Sequence, residues 1–223
     1  MRRKLGIAVL AVLAISLVAL GARLARVGPE PALQSGDLVF QTSSSRQSWA
    51  LMWAAKSLFG HVGIVEVGKD GTFVLEAISR VSRTPLAQWK ARGRFGRYAV
   101  FRVSGLSPVQ REAVVAHARH YLGRRYDIYF TAKNDELYCS ELAEKAYEEA
   151  GVPIGKFQKA GELDVDNFLV RALMRSRWQG HPLCHGRVKT FEACWDLLRE
   201  DDVITPVALT RDPRVHEVWS NYP

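Results

Sequence analysis

Two β-rich runs on either side of a four-residue turn constrain this chain more than any other feature. His61-Val62-Gly63-Ile64-Val65-Glu66-Val67 and Thr72-Phe73-Val74-Leu75-Glu76-Ala77-Ile78 flank Gly68-Lys69-Asp70-Gly71. Glycines and an aspartate between β-branched runs predict an antiparallel hairpin. Pairing through that turn carries His61 to the end far from the hairpin, level with Ile78. Side chains alternate with a period of two, so Glu76 falls one same-face step from the imidazole.

The rest of the chain supplies partners for this hairpin. Gly36-Asp37-Leu38-Val39-Phe40-Gln41 turns into a short apolar strand, and Tyr98 to Val103 reads as another. Trp49, Leu51, Met52, Trp53, Ala55, Leu58 and Phe59 suit a helix with a broad apolar face, which Gly60 is expected to stop. Thr84 with Pro85 reads as a helix start, giving a short helix to about Arg92. Ser107-Pro108-Val109-Gln110 is a capping box with proline at the first helical position, predicting a helix to Leu122 that ends at Gly123. Cys139 to Tyr147 places Leu142, Ala143, Ala146, Tyr147 and Ala150 on one helical face before Gly151 and Pro153, which puts Cys139 in the first helical turn. Phe191 to Arg199 predicts a further helix and Val203-Ile204 a short strand.

The chain opens on Met1-Arg2-Arg3-Lys4 and then runs apolar from Leu5 to Ala22, closed by Arg23 and Arg26. This basic–apolar–basic order predicts a signal peptide or membrane anchor over residues 1–22, cleaved or retained, followed by a proline-bearing linker over 23–34. The folded domain is expected over 35–223, with a C-terminal extension from about residue 152. At 48% hydrophobic and 24% charged residues the chain has material for one packed core. The formal charge of +8 is no sign of nucleic acid, because Arg2, Arg3, Lys4, Arg23 and Arg26 belong to the leader or its flank and the remainder is nearly balanced. Export to the outer side of a membrane follows, in a periplasmic or similar compartment, with residues 5–22 as the membrane contact if uncleaved. In that setting an odd count of three cysteines predicts a Cys184–Cys194 disulfide and one reactive thiol, Cys139. The rival is a metal site of Cys184, His185, Cys194 and His181, which lacks the paired short cysteine spacing of zinc sites.

A thiol at a helix start feels the positive end of the backbone dipole, which favours thiolate. A small buried structural cysteine fits Cys139 as well, and a structural histidine fits His61. What joins them is a resemblance. Tyr121-Leu122-Gly123-Arg124-Arg125-Tyr126-Asp127 followed by Leu137-Tyr138-Cys139-Ser140-Glu141-Leu142 resembles the nucleophile segment of NlpC-type cell-wall peptidases, members of the papain-like fold. In those proteins the histidine follows the cysteine, whereas here the His61 strand precedes it. With Gly36 to Gln41, Leu75-Glu76-Ala77 and Thr84-Pro85-Leu86, that inverted order is similar to the circularly permuted papain-like amidases of the YiiX/YaeF group, over about Gly36 to Gly151 with a looser likeness at Val203-Ile204-Thr205-Pro206.

The resemblance implies an α+β fold, an antiparallel sheet packed against helices in permuted papain-like order. It implies Cys139 as nucleophile, His61 as general base and Glu76 as the group orienting the imidazole, with Tyr126 and the Cys139 backbone amide at the oxyanion. No metal or cofactor is called for. His117 and His120, on a predicted helix, are rival bases. The expected activity is that of a thiol-dependent amidase or peptidase on a cell-envelope peptide. A likeness to lecithin-retinol-acyltransferase-like proteins, which share the His-before-Cys order, leaves an N-acylated or lipid substrate as the alternative. A membrane-tethered binding module without turnover is the third.

Overall fold

The computed structural model describes residues 28–43, 45–131 and 135–223; the leader predicted over 1–22 and the start of the linker lie outside them. The hairpin forms as its turn chemistry demands. Strand β2 (His61–Gly68) pairs with β3 (Gly71–Ala77), with Ile64 opposite Leu75 and Gly68 opposite Gly71. Around it β1 (Leu38–Gln41), β4 (Val81–Pro85), β5 (Tyr98–Val103) and β8 (Val215–Ser220) complete an antiparallel sheet of order β4-β3-β2-β1-β5-β8. The α+β class and the antiparallel sheet expected from the sequence are therefore the observed ones.

Alternation along the strands sends two apolar sets to two faces. Leu38, Phe40, Val62, Ile64, Leu75 and Phe101 meet α3 (Pro108–His120) and α4 (Cys139–Glu149), which contribute Val114, Ala118, Ala143, Ala146 and Tyr147. On the opposite face Val39, Val65, Val74 and Val100 close on Trp89 of α2 (Leu86–Arg92). A sheet covered on both sides is buried in its middle, and burial of an aromatic side chain such as Trp89 contributes about 2–3 kcal/mol. The capping box at Ser107 and Gln110 is present in full, with Pro108 at the start of α3.

A second apolar cluster joins α1 (Arg46–Ala55) to α5 (Phe168–Arg175) and α6 (Phe191–Arg199), through Ala50, Ala54, Val170, Phe191 and Trp195. The Cys184–Cys194 disulfide lies within it, with the Cα atoms 5.3 Å apart. Two short strands, β6 (Gln158–Lys159) and β7 (Asp202–Val203), pair beside it, and α7 (Pro206–Thr210) leads back to β8 at the sheet edge.

Three local expectations are corrected. Helix α1 ends at Ala55, because Lys56 adopts a left-handed conformation (φ 49°) and returns its N–H to the carbonyls of Met52 and Trp53. Phe59 leaves the helix to pack with Phe40, Phe101 and Tyr222. Gly60 stops nothing: a Cβ there would stand 1.9 Å from Ser48 Oγ, so it is glycine for close approach. Thr84 lies in β4 and not at a helix start, and Pro85 caps α2 from just outside it.

Gly63 gives the sheet a test. A Cβ at this position would lie 2.3 Å from Val74 Cγ1 and 3.1 Å from the Leu75 carbonyl. Gly63→Ala is expected to cost about 1–3 kcal/mol through forced displacement of β3, read from the urea midpoint; an unchanged midpoint would show that β2 and β3 are less tightly apposed. Reducing Cys184–Cys194 is expected to cost a further ~2–4 kcal/mol in the same assay, and intact mass without reduction should lack two hydrogens.

Candidate active site

The start of α4 is held from the side by the chain's tail. Tyr138, at the N-cap, accepts the Ile204 N–H on its hydroxyl at 3.1 Å, and Ser140 donates its hydroxyl to the Ile204 carbonyl at 2.8 Å. Both neighbours of Cys139 are thus fastened to one backbone residue, which fixes where the thiol points. The His61 imidazole and the backbone amides of Val62 and Ser140 are its near neighbours, and each favours the thiolate. Cys139 is 2% exposed, and it is the one cysteine outside the disulfide.

His61 is the first residue of β2 and is 7% exposed. Carrying the β2–β3 register one residue beyond Ile64 and Leu75 sets Glu76 level with Gly63, on the His61 face. The imidazole Nε2 meets Glu76 Oε2 at 2.6 Å. With Nε2 used in this way, Nδ1 is the nitrogen left to serve the thiol. Glu76 has no exposure at all. Its other oxygen accepts the Thr84 hydroxyl at 2.6 Å and the Arg92 guanidinium.

Burial would by itself push each of these groups toward its neutral form, and their contacts overcome it. Desolvation presses the His61 imidazole down, but the bonds to Cys139 and Glu76 push it up to about 9. Burial presses the Cys139 thiol up, and His61 with the two backbone amides brings it below the ordinary thiol range. Glu76 is raised by burial and lowered further by His61, Thr84 and Arg92, ending below the usual carboxylate range. All three shifts run toward a thiolate–imidazolium pair backed by a carboxylate.

Tyr126 joins this group. Burial and the nearby Cys139 charge drive its hydroxyl well above the ordinary phenol range, so it stays a donor. Gln47 Nε2 donates to the phenol oxygen at 3.3 Å, which leaves the hydroxyl proton free to point elsewhere. The loop carrying Tyr126 is ordered by Asp127, whose carboxylate accepts the N–H groups of Tyr129, Phe130 and Thr131.

A cleft of about 560 Å³ opens onto His61 and Tyr126, with Gln41, Gln47, Ser48 and Arg92 among its lining. Behind it lies a smaller pocket, almost wholly apolar, walled by α1, α5 and α6; Gln47, Leu51 and Phe130 line both.

The structure brings Cys139, His61, Glu76 and Tyr126 together and leaves the rivals apart. His117 pairs with Glu149, at the far end of α4 from Cys139. His120 stacks edge-on against Tyr121. The rival metal set is dismantled by the disulfide, and His181 faces the Tyr129 carbonyl. Sequence reasoning missed Thr84, Arg92 and Gln47 as parts of the site. The alternation that exposed Glu76 would have found Thr84, had Thr84-Pro85 been read as the end of a strand.

This arrangement, a helix-start thiol against a strand-start imidazole on an antiparallel sheet, is that of a permuted papain-like hydrolase. The chain matches the model of the permuted papain-like amidase enzymes, YaeF/YiiX, C92 family, over residues 32–219, and it belongs to that family. The uncharacterized protein YiiX of Escherichia coli (strain K12) is 34% identical over 193 residues, spanning 85% of this chain and 88% of its own. A crystal structure described as metalloprotein YiiX from Escherichia coli O157:H7 superposes with a TM-score of 0.74 at 35% identity, covering 85% of this chain and 98% of that one. The family is one of cysteine-type amidases and peptidases.

The electrostatics make a direct prediction for Cys139. A lowered thiol and an imidazole raised to about 9 mean that thiolate is present from below the ordinary thiol range upward, and that the imidazolium is lost only as pH rises through about 9. Iodoacetamide alkylation of Cys139 should reach half its maximal rate at a lower pH than that of free cysteine, whose pKa is about 8.5. His61→Ala should move that midpoint upward. A midpoint equal to that of free cysteine, unmoved by His61→Ala, would remove the case for an activated thiol.

Proposed function

We propose that this chain is a cysteine amidase of the cell envelope working through Cys139, His61 and Glu76. The observation that carries the reading is the His61 imidazole hydrogen-bonded to the buried Glu76 carboxylate at 2.6 Å and coupled on its other side to the Cys139 thiol. The Cys139 thiolate adds to the substrate carbonyl. The oxyanion takes hydrogen bonds from the Tyr126 hydroxyl and the Cys139 backbone N–H. The C–N bond then breaks as the His61 imidazolium gives its proton to the leaving amine, forming a thioester. Water, losing a proton to His61, attacks the thioester and releases the carboxylic acid and the thiol. Glu76 keeps the ring in the tautomer and orientation that both transfers require.

An extracytoplasmic location is supported by the basic start and apolar run over residues 1–22 and by the disulfide, which suits an oxidising compartment. Among the described residues no helix is long and apolar enough to cross a membrane. A peptide such as a peptidoglycan stem is the first substrate class. The second is an N-acylated or lipid substrate, and the apolar pocket adjoining the cleft favours it specifically.

The metalloprotein description of the structural relative belongs to that protein. Among the described residues of this chain no three His, Cys, Asp or Glu side chains gather where they could hold an ion. Two of the three thiols form a disulfide, and both oxygens of Glu76 are engaged by His61, Thr84 and Arg92. The described residues of the site therefore offer no ready ligand set for an ion, and the proposed steps use none.

Incubation with peptidoglycan fragments and, separately, with N-acylated amines and acyl lipids, reading released amine against released fatty acid, distinguishes the two substrate classes. Cys139→Ala should abolish turnover, and Glu76→Gln should lower kcat/KM by about 10²-fold or more. Absence of turnover on every class, with Cys139 no more reactive than a free thiol, would favour a binding module.

A further inference from the structure

Glu76 is wholly buried, yet the cation that caps it is not. Arg92, the last residue of α2, has a side chain 40% exposed. It reaches from the cleft rim to the Glu76 oxygen that His61 leaves free. Apart from His61, it is the one charged side chain among the residues lining the cleft. The Thr84 hydroxyl shares the same oxygen. The groups facing Glu76 are therefore His61 from β2, Thr84 from β4 and Arg92 from α2. Those facing Cys139 are His61 and, from the loop before α4, Tyr126 and Tyr138. Arg92 is the only permanent cation in either set.

A buried thiolate, imidazolium and carboxylate together carry one net negative charge. Arg92 brings that sum to zero without touching the thiol or the cleft's reacting end. Without it, the cheapest way to neutralise the site is to take up a proton, at the thiolate or at Glu76, and either event disables the pair. We propose that Arg92 is a positioning residue for the cysteine site, holding Glu76 in place and favouring the charged thiolate–imidazolium pair. This rests on the reading of Cys139 and His61 as an activated pair. A guanidinium at the helix end suits the task, because it pairs with a carboxylate in a fixed planar geometry and stays charged at every accessible pH.

The test uses the full chain, in which Cys139 is the only thiol outside the disulfide, so that iodoacetamide reports on one site. Rates of alkylation are followed from pH 4 to 10 for the wild type, Arg92→Gln, Arg92→Lys, Glu76→Gln and the Arg92→Gln/Glu76→Gln double variant, with thermal unfolding of each. Removing a positive charge raises neighbouring pKa values, so Arg92→Gln should move the thiolate midpoint upward by roughly 0.5–1 pH unit, a loss of about 3- to 10-fold in rate on the acid limb. Arg92→Lys should restore most of it. In the Glu76→Gln background the Arg92 substitution should shift the midpoint much less, because its action runs through the carboxylate. A merely structural arginine would lower the unfolding temperature and leave the midpoint where it was, and that result overturns the proposal. Should Arg92→Gln fail to fold, the double variant decides: recovery of folding supports a charge-balancing role, and equal failure of both refutes it. A wild-type midpoint like that of free cysteine would instead sink the activated-thiol reading itself, whatever Arg92 does.

Discussion

A carboxylate taken entirely out of water costs several kcal/mol unless donors replace the lost hydration. Glu76 is such a group, and the region around the site is built to meet its demands. One donor must come from its hairpin partner, and the β2–β3 register delivers His61. A second comes from the other neighbouring strand, where Thr84, next to last in β4, lies within reach. The third comes from α2, which begins directly after β4 and can reach back over the same sheet face only because Trp89 anchors it there. The packing of α2 and the ionisation of Glu76 are thereby one problem, since displacing the helix would leave a buried carboxylate short of a donor.

The thiol depends on a different and more distant constraint. Helix α4 lies against the opposite sheet face from α2, and its first residue must still arrive at the first residue of β2. Packing of Ala143, Ala146 and Tyr147 places the helix, but its start is set by Tyr138 and Ser140 gripping both peptide groups of Ile204. That grip is supplied by the chain's last quarter, which goes on through α7 to lay β8 along β5. In a chain whose histidine strand precedes its cysteine helix, closing the sheet and bracing the nucleophile thus fall to the same C-terminal segment.

This division explains what could be read from the sequence. The His61–Glu76 relation was accessible because a four-residue turn fixes register and alternation fixes the face; both are local facts. Cys139 at a helix start was legible from the apolar spacing of Leu142, Ala143 and Ala146. The end of α1 was not, because a lysine in a left-handed conformation carries no signal that distinguishes it from a helical one, and Gly60 offered a false one. The role of Ile204 was hidden for a deeper reason: it acts through its N–H and carbonyl, which every non-proline residue possesses. Strand β8 pairs with a strand more than a hundred residues earlier, with no turn to announce the partner. The order of motifs that marked the family carried information that no single residue held.

Helix α1 decides how the two candidate substrate classes relate. Gln47 and Leu51 lie one turn apart on it and line both the polar cleft and the apolar pocket, with Phe130 opposite them. The cleft side presents Ser48, Gln41 and the Tyr126 hydroxyl that Gln47 steadies, all suited to a polar amide. The pocket side presents Val170, Leu173, Met174 and Trp195 from α5 and α6, suited to hydrocarbon. On the proposed mechanism the scissile carbonyl must stand between the Cys139 thiolate and Tyr126, at the cleft side of this partition. On the proposed reading, an N-acylated amine would use both compartments, its acyl chain passing Leu51 and Phe130 and its amine staying in the cleft. A peptide stem fills only the first. Because α6 is tied to the preceding loop by the Cys184–Cys194 disulfide, the apolar wall of this pocket is cross-linked.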